Sequence, residues 1–161
     1  MRKFIKIHTA IIIILSSFSL VFGQSHKPFF KDGDTICFLG DSITHGGQYH
    51  EFLQLFYATR YPELKLSFHN CGISGDNATG MIERFEEDVM KHKPTHVFLM
   101  TGMNDVNRTL YFEGTASIKI LKQRANALAN YKRNTTLLAE KIIENDVTPI
   151  LLTPSIYDQY S

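Results

Sequence analysis

The sequence predicts an α/β domain built on a parallel sheet. Three observations carry that expectation. Short apolar runs at residues 35–39, 65–69, 96–100 and 147–152 read as strands. Between them lie longer stretches with apolar residues at three- and four-residue steps, the period of a helix. The run over residues 96–100 is continuously apolar, as in a parallel strand buried on both faces. Strands that alternate with helices argue for βαβ units and a parallel sheet.

The elements follow in order. Residues 24–33 are polar around Pro28 and the pair Phe29-Phe30, and read as a leader that ends in the turn Asp32-Gly33-Asp34. Strand one, residues 35–39, stops abruptly in Gly40-Asp41-Ser42. Gly40 permits a tight exit that a side chain would obstruct. Ser42 therefore sits at the carboxyl end of a strand, where open α/β sheets place their ligands. Residues 44–47 read as a loop. Residues 49–60 read as a helix whose Phe52, Leu55, Phe56 and Thr59 pack on the sheet, and Tyr61-Pro62 ends it.

Strand two, residues 65–69, alternates Leu66 and Phe68 with polar neighbours, and residues 70–77 form a loop. A second helix over residues 79–91 turns Met81, Ile82, Phe85 and Val89 inward. Pro94 precedes the third strand. Residues 107–114 form a loop with two aromatics, Tyr111 and Phe112, which either line a ligand site or pack on the surface. A long helical stretch covers residues 117–144, with the segment 130–134 as a candidate break. Leu121, Ala125, Leu128, Ala129, Leu137, Leu138, Lys141 and Ile142 carry its repeat. Strand four, residues 147–152, leads into a loop at Thr153-Pro154.

A length of 161 residues fits one domain. The net charge is +1 with no basic stripe, so nothing points to a nucleic-acid partner and none is expected. Arg2, Lys3 and Lys6 precede an apolar core at residues 11–22, and Val21-Phe22-Gly23 offers a cleavage site. Residues 1–23 thus read as a signal peptide, 24–33 as the leader, and 34–161 as the domain. The apolar core falls short of the roughly 20 residues that a membrane span needs, which disfavours a permanent span; a retained anchor is the competing reading. The expected location is secreted or periplasmic. That compartment permits a disulfide between Cys37 and Cys71. Their positions in and just after strands favour buried free thiols instead, and nothing cationic flanks Cys37 to make it a nucleophile.

No His-Glu-x-x-His and no Cys/His cluster occurs, so no metal is expected. No Gly-x-Gly-x-x-Gly and no Walker loop occurs, so no nucleotide cofactor is expected either. Ser42 is not in a Gly-x-Ser-x-Gly elbow, which disfavours the α/β-hydrolase fold. Ser42 remains a candidate nucleophile.

Three blocks carry a family resemblance: Gly40-Asp41-Ser42, Asn70-Cys71-Gly72-Ile73-Ser74-Gly75-Asp76 and Gly102-Met103-Asn104-Asp105. Each follows an apolar run. In that order they resemble the SGNH hydrolases, the GDSL-type esterases and lipases, from about residue 34 onward. The resemblance implies a flavodoxin-like three-layer α/β/α sandwich. It implies Ser42 as nucleophile, with the N–H groups of Ser42 and Gly75 and the Asn104 amide forming the oxyanion hole. Asp41, Asp76 and Asp105 read as structural, bonding N–H groups of their own loops. The expected substrate is a small-molecule, glycan or lipid ester, with an acetyl group on carbohydrate favoured, and no cofactor is needed.

The family's last block, Asp-x-x-His, supplies the base and does not occur in these residues. The local alternatives are His45, His50, His69, His92 and His96. A non-catalytic binding module or an inactive fragment is the alternative function. The fold that the resemblance implies has a further strand and helix, so strand four is expected to be an uncovered edge, which promotes association. A version extended past Ser161 should melt at a higher temperature and aggregate less. Equal melting temperatures and equal solubility would contradict this.

Overall fold

The computed structural model describes residues 27–111 and 116–154. The expected signal peptide and Phe112 lie outside them. Four parallel strands form one sheet in the order β2-β1-β3-β4: β1 Thr35–Gly40, β2 Ser67–Gly72, β3 His96–Met100 and β4 Thr148–Leu152. The helices are α1 Ser42–His45, α2 Gln48–Arg60, α3 Ala78–Glu83 and α4 Ile118–Glu144. No described helix is long and apolar enough to cross a membrane.

The central strand organises two cores because its side chains alternate between faces. Ile36 and Phe38 point to one side and join Phe30 and Tyr57, with Leu53, Phe68, Phe98 and Ile150 packed around them. Cys37 and Leu39 point to the other side and meet Val97, Leu99, Met81, Phe85, Val89, Leu138 and Ile142. Helix α2 therefore covers one face, and α3 and α4 cover the other. This is the expected α/β/α layering. Burying each large apolar side chain contributes about 1.5–3 kcal/mol. Phe30, from the segment read as a leader, is 2% exposed and belongs to this core.

Several elements differ from the expectation. Residues 44–47 were expected as a loop, yet Ser42–His45 form the helical turn α1, capped by the Asp41 carboxylate on the Ile43 N–H. Strand β2 begins and ends later than expected, so Asn70, Cys71 and Gly72 belong to it. The preceding residues are held elsewhere: Lys65 donates to Asp32 Oδ1 at 2.7 Å, and pairing starts with Ser67 N–H on Asp34 O at 3.0 Å.

The inward face of α2 is not the phenylalanine stripe. Phe52, Leu55 and Phe56 are 72%, 60% and 47% exposed. His50 and Tyr57 are buried instead. The reason is that the interior offers partners for their polar ends. Tyr57 Oη accepts from Phe30 N–H at 3.3 Å, and His50 Nε2 bonds Thr44 O at 3.2 Å while its ring stacks on Phe38.

The second helix keeps its expected inward residues, Met81, Phe85 and Val89. After Glu83 it widens into a π turn over Phe85–Val89 and tightens over Met90–His92. The long helix α4 runs unbroken through residues 130–134. Only its Leu138 and Ile142 are buried, and Leu121, Leu128 and Leu137 face outward among the described residues. Tyr111 lies in the short helical turn Arg108–Tyr111, where the Arg124 guanidinium covers its ring at 4.4 Å. Cys37 and Cys71 are buried and free, as expected. The neighbouring Cys71 thiol and burial push the Cys37 thiol far up, so it stays protonated.

His96 makes stability sensitive to acid. Its ring lies 5.0 Å from that of Phe30 and 5.7 Å from that of Phe29. Burial there lowers its pKa from 6.5, although Asp34 Oδ2 lies 3.9 Å from Nδ1. Protonation thus costs the folded state more than the unfolded chain. The contribution is complete above pH 6.5 and is lost as the pH falls below it. The melting temperature should fall between about pH 7 and pH 5, and His96→Gln should flatten that slope. An unchanged slope in the variant would contradict the assignment.

Candidate active site

The register of the sheet sets the level of the site. Gly40 pairs with Gly72 on one side and with Met100 on the other. The three sequence blocks therefore leave the sheet at one height, on adjacent strands. Ser42 follows β1, Gly75 follows β2 and Asn104 follows β3.

Ser42 is the first residue of α1 and is exposed. Asp41 beneath it is 2% exposed and accepts from Ile43 N–H at 3.0 Å. The turn is seated very close to the sheet. A Cβ on Gly40 would strike the Thr44 side chain, and one on Gly72 would strike the His45 backbone. Asn70 locks the seat: its Nδ2 donates to His45 O at 3.1 Å, and its Oδ1 accepts from Gly72 N–H at 2.9 Å. Thr44, fully buried, bonds Tyr49 Oη at 3.0 Å.

The second block folds into a turn closed by Asp76 N–H on Ile73 O at 3.1 Å. Gly75 holds the third position with φ of 82°, a conformation that glycine adopts without strain. Among the described residues, neither the Ser42 N–H nor the Gly75 N–H has an acceptor. In the third block, Asn104 Nδ2 donates to Asp76 O at 2.7 Å, which ties this block to the second. That bond uses one of two amide protons, and Asn104 is exposed on the rim.

The aspartates bond their loops as expected, and two reach further. Asp105 Oδ2 accepts from Thr101 Oγ1 at 2.8 Å and Gly102 N–H at 3.0 Å, while Oδ1 accepts from Ala78 N–H at 2.9 Å at the start of α3. Asp76 Oδ1 accepts from Asn77 N–H at 2.8 Å, and Oδ2 pairs with Arg84 Nε at 2.7 Å.

Arg84 is a positioning residue that the sequence analysis missed. Its guanidinium also donates to Cys71 O at 2.8 Å, Asp88 Oδ2 at 3.1 Å and Gly40 O at 3.3 Å. It thereby holds the exits of β1 and β2 and the second block together. The available signal was a charged residue on an inward-facing helix between Met81 and Phe85, with Asp88 four residues on.

None of the local histidines is hydrogen-bonded to Ser42 among the described residues. His45 Nδ1 lies 3.3 Å from both the N–H and Oγ of Ser74. His50 bonds Thr44 O and Gln54. His69 and His92 stack on each other at 3.9 Å, and His96 bonds Thr95 Oγ1 at 2.9 Å. Among the described residues, no group of three His, Cys, Asp or Glu side chains is arranged to hold a metal.

Residues 38–159 match the GDSL-like Lipase/Acylhydrolase family. The chain belongs to that family, and the fold agrees. An acetylxylan esterase of Geobacillus stearothermophilus is 35% identical over 91 residues, which cover 47% of this chain and 42% of that protein. An uncharacterized lipoprotein, YqeF, of Bacillus subtilis strain 168 is 31% identical over 88 residues, covering 55% of this chain and 32% of that one. The chain thus spans less than half the length of these relatives.

Among solved structures, a gut microbial diltiazem-metabolizing enzyme, BT4096, superposes with a TM-score of 0.69 at 32% identity, over 84% of this chain and 30% of that one. A catalytic mutant of the acetylxylan esterase Axe2 from Geobacillus stearothermophilus gives 0.64 at 28% identity, over 78% and 61%. Catalytic mutants of that enzyme have been solved at an aspartate, a histidine and a serine.

Arg84 and Asp76 side chains are only 14% and 10% exposed, so removing one partner strands the other. Arg84→Met should destabilise the chain by about 3 kcal/mol in denaturant unfolding. Arg84→Lys should recover only part of this, because an ammonium cannot reproduce the fork. A loss below about 0.5 kcal/mol would show that the guanidinium does not hold the rim.

Proposed function

We propose that this chain carries the nucleophile and oxyanion hole of an exported serine ester hydrolase acting on acyl, foremost acetyl, esters. The observation that carries the reading is the common level of the three strand exits. With Gly40 paired to Gly72 on one side and to Met100 on the other, Ser42, Gly75 and Asn104 follow neighbouring strands at one rim. The N–H groups of Ser42 and Gly75 and the second Asn104 amide proton are left without protein acceptors among the described residues.

In this reading, Ser42 Oγ attacks the ester carbonyl and loses its proton to a base. The carbonyl electron pair moves onto oxygen, and the three donors stabilise that charge. Collapse breaks the bond to the leaving alcohol, which takes the proton. Water then repeats the sequence on the acyl-serine and releases the acid. The family resemblance implies the histidine of an Asp-x-x-His block as that base; residues 1–161 contain no such block, and none of the described histidines bonds Ser42. The acetyl group is favoured because a relative is an acetylxylan esterase. Export rests on residues 1–23, with their basic start and apolar core.

The lack of a histidine on Ser42 favours one other reading, a module that binds esters without cleaving them. Hydrolysis of 4-nitrophenyl acetate separates the two. The hydrolase reading expects turnover that Ser42→Ala abolishes. Asn104→Ala should lower kcat by about 100- to 1,000-fold with a similar KM. Turnover that survives Ser42→Ala would remove Ser42 from the chemistry, and an unchanged kcat would remove Asn104 from the oxyanion hole.

A further inference from the structure

Beside Asn104 opens a cleft of about 460 Å³ between the third block, the start of α3 and the outer half of α4. Its composition is unusual. The face that α4 turns to it is Gln123, Asn126, Ala127, Asn130, Tyr131 and Asn134. Those positions follow one helical stripe, the spacing that packed helices fill with apolar side chains. Asparagine is a poor helix former because its amide competes for backbone groups. Three of them at four-residue steps inside one helix therefore cost stability without burying apolar surface. The two remaining inward residues of α4, Leu138 and Ile142, hold the core further along.

The cleft walls are fixed, while three of its amides have no side-chain hydrogen bond among the described residues. Asn134 Nδ2 donates to Thr79 Oγ1 at 2.8 Å, which ties α4 to α3. Tyr131 Oη donates to Thr101 O at 3.4 Å, and Arg124 donates to Leu110 O at 2.7 Å, which tie α4 to the segments on either side of the third block. Gln123, Asn126 and Asn130 have no side-chain hydrogen bond among the described residues. The lining includes no Lys or Arg, and its one carboxylate, Asp105, already accepts three hydrogen bonds.

We propose that this amide-lined cleft binds the neutral, polyhydroxylated part of the substrate, a carbohydrate chain. Each free carboxamide offers donors and an acceptor, which matches hydroxyl groups that both give and take hydrogen bonds. A cleft without cations gives no hold to a phosphate headgroup or an acidic sugar, and one so polar gives none to an acyl tail. The proposal rests on the hydrolase reading for its place in catalysis, because the cleft shares Asn104 with the oxyanion hole. Binding itself stands apart from that reading.

The test uses the full chain and its Asn126→Ala/Asn130→Ala variant. Alanine is the better helix former, so the variant should melt no lower than the parent. Calorimetric titration with xylotetraose, cellotetraose and mannotetraose should give saturable binding of at least one, weakened tenfold or more in the variant. Tetragalacturonate and lysophosphatidylcholine should not bind at this cleft. For turnover, the ratio of kcat/KM on an acetylated oligosaccharide to that on 4-nitrophenyl acetate should fall at least tenfold in the variant, through KM. Absence of binding by all three neutral sugars, or equal binding in the variant, overturns the proposal. A ratio that does not move overturns the cleft's part in catalysis. If Ser42→Ala leaves hydrolysis intact, the hydrolase reading fails while the titrations still decide the cleft.

Discussion

One largely buried guanidinium holds the rim of this sheet together. Strand-end carbonyls take donors from beyond the sheet, and Gly40 O, which accepts from Ile73 N–H at 3.1 Å, has room for a second. Arg84 meets those of β1 and β2 at Gly40 and Cys71, and pairs with Asp76 in the loop beyond. Its planar fork satisfies several acceptors at fixed angles, which a lysine cannot do. The second block then has only one arrangement relative to the first. Asp105 does the same for the third block by accepting from its backbone and from the start of α3. Asn104 closes the chain of bonds onto Asp76 O.

This frame explains why the site is built from loops yet placed by strands. The pairing of Gly40 with Gly72 and Met100 sets the height of three exits, and the polar network sets their directions. The apolar cores beneath are ordinary and lie on both faces of β1. Helix α4 serves two ends. Its later part packs Leu138 and Ile142 against the sheet, and its earlier part stands clear of the core and faces the cleft beside Asn104.

Much of this was legible in the sequence, for identifiable reasons. The strands were legible because apolar runs end in glycine and asparagine. The three blocks were legible because, in that order and each after an apolar run, they resemble the SGNH hydrolases. Periodicity misled in α2, where Phe52, Leu55 and Phe56 form a regular stripe that faces outward. The inward positions went to Tyr57 and His50, whose polar ends find partners only in the folded chain. The same blindness hid Arg84, because a carbonyl that needs a donor leaves no mark in the sequence. The segment 130–134 of α4 suggested a break. The structure keeps the helix intact because α4 is anchored at Tyr131 and Asn134 on one side and at Leu138 on the other.

The most direct test of the account is a crystal structure of the chain with a methylphosphonate bound covalently to Ser42 Oγ. The account predicts a phosphonyl oxygen about 2.7–3.1 Å from the N–H nitrogens of Ser42 and Gly75 and from Asn104 Nδ2. The Arg84 and Asp105 contacts should stay as they are. An adduct whose oxygen points to solvent, with Gly75 or Asn104 turned away, would contradict it.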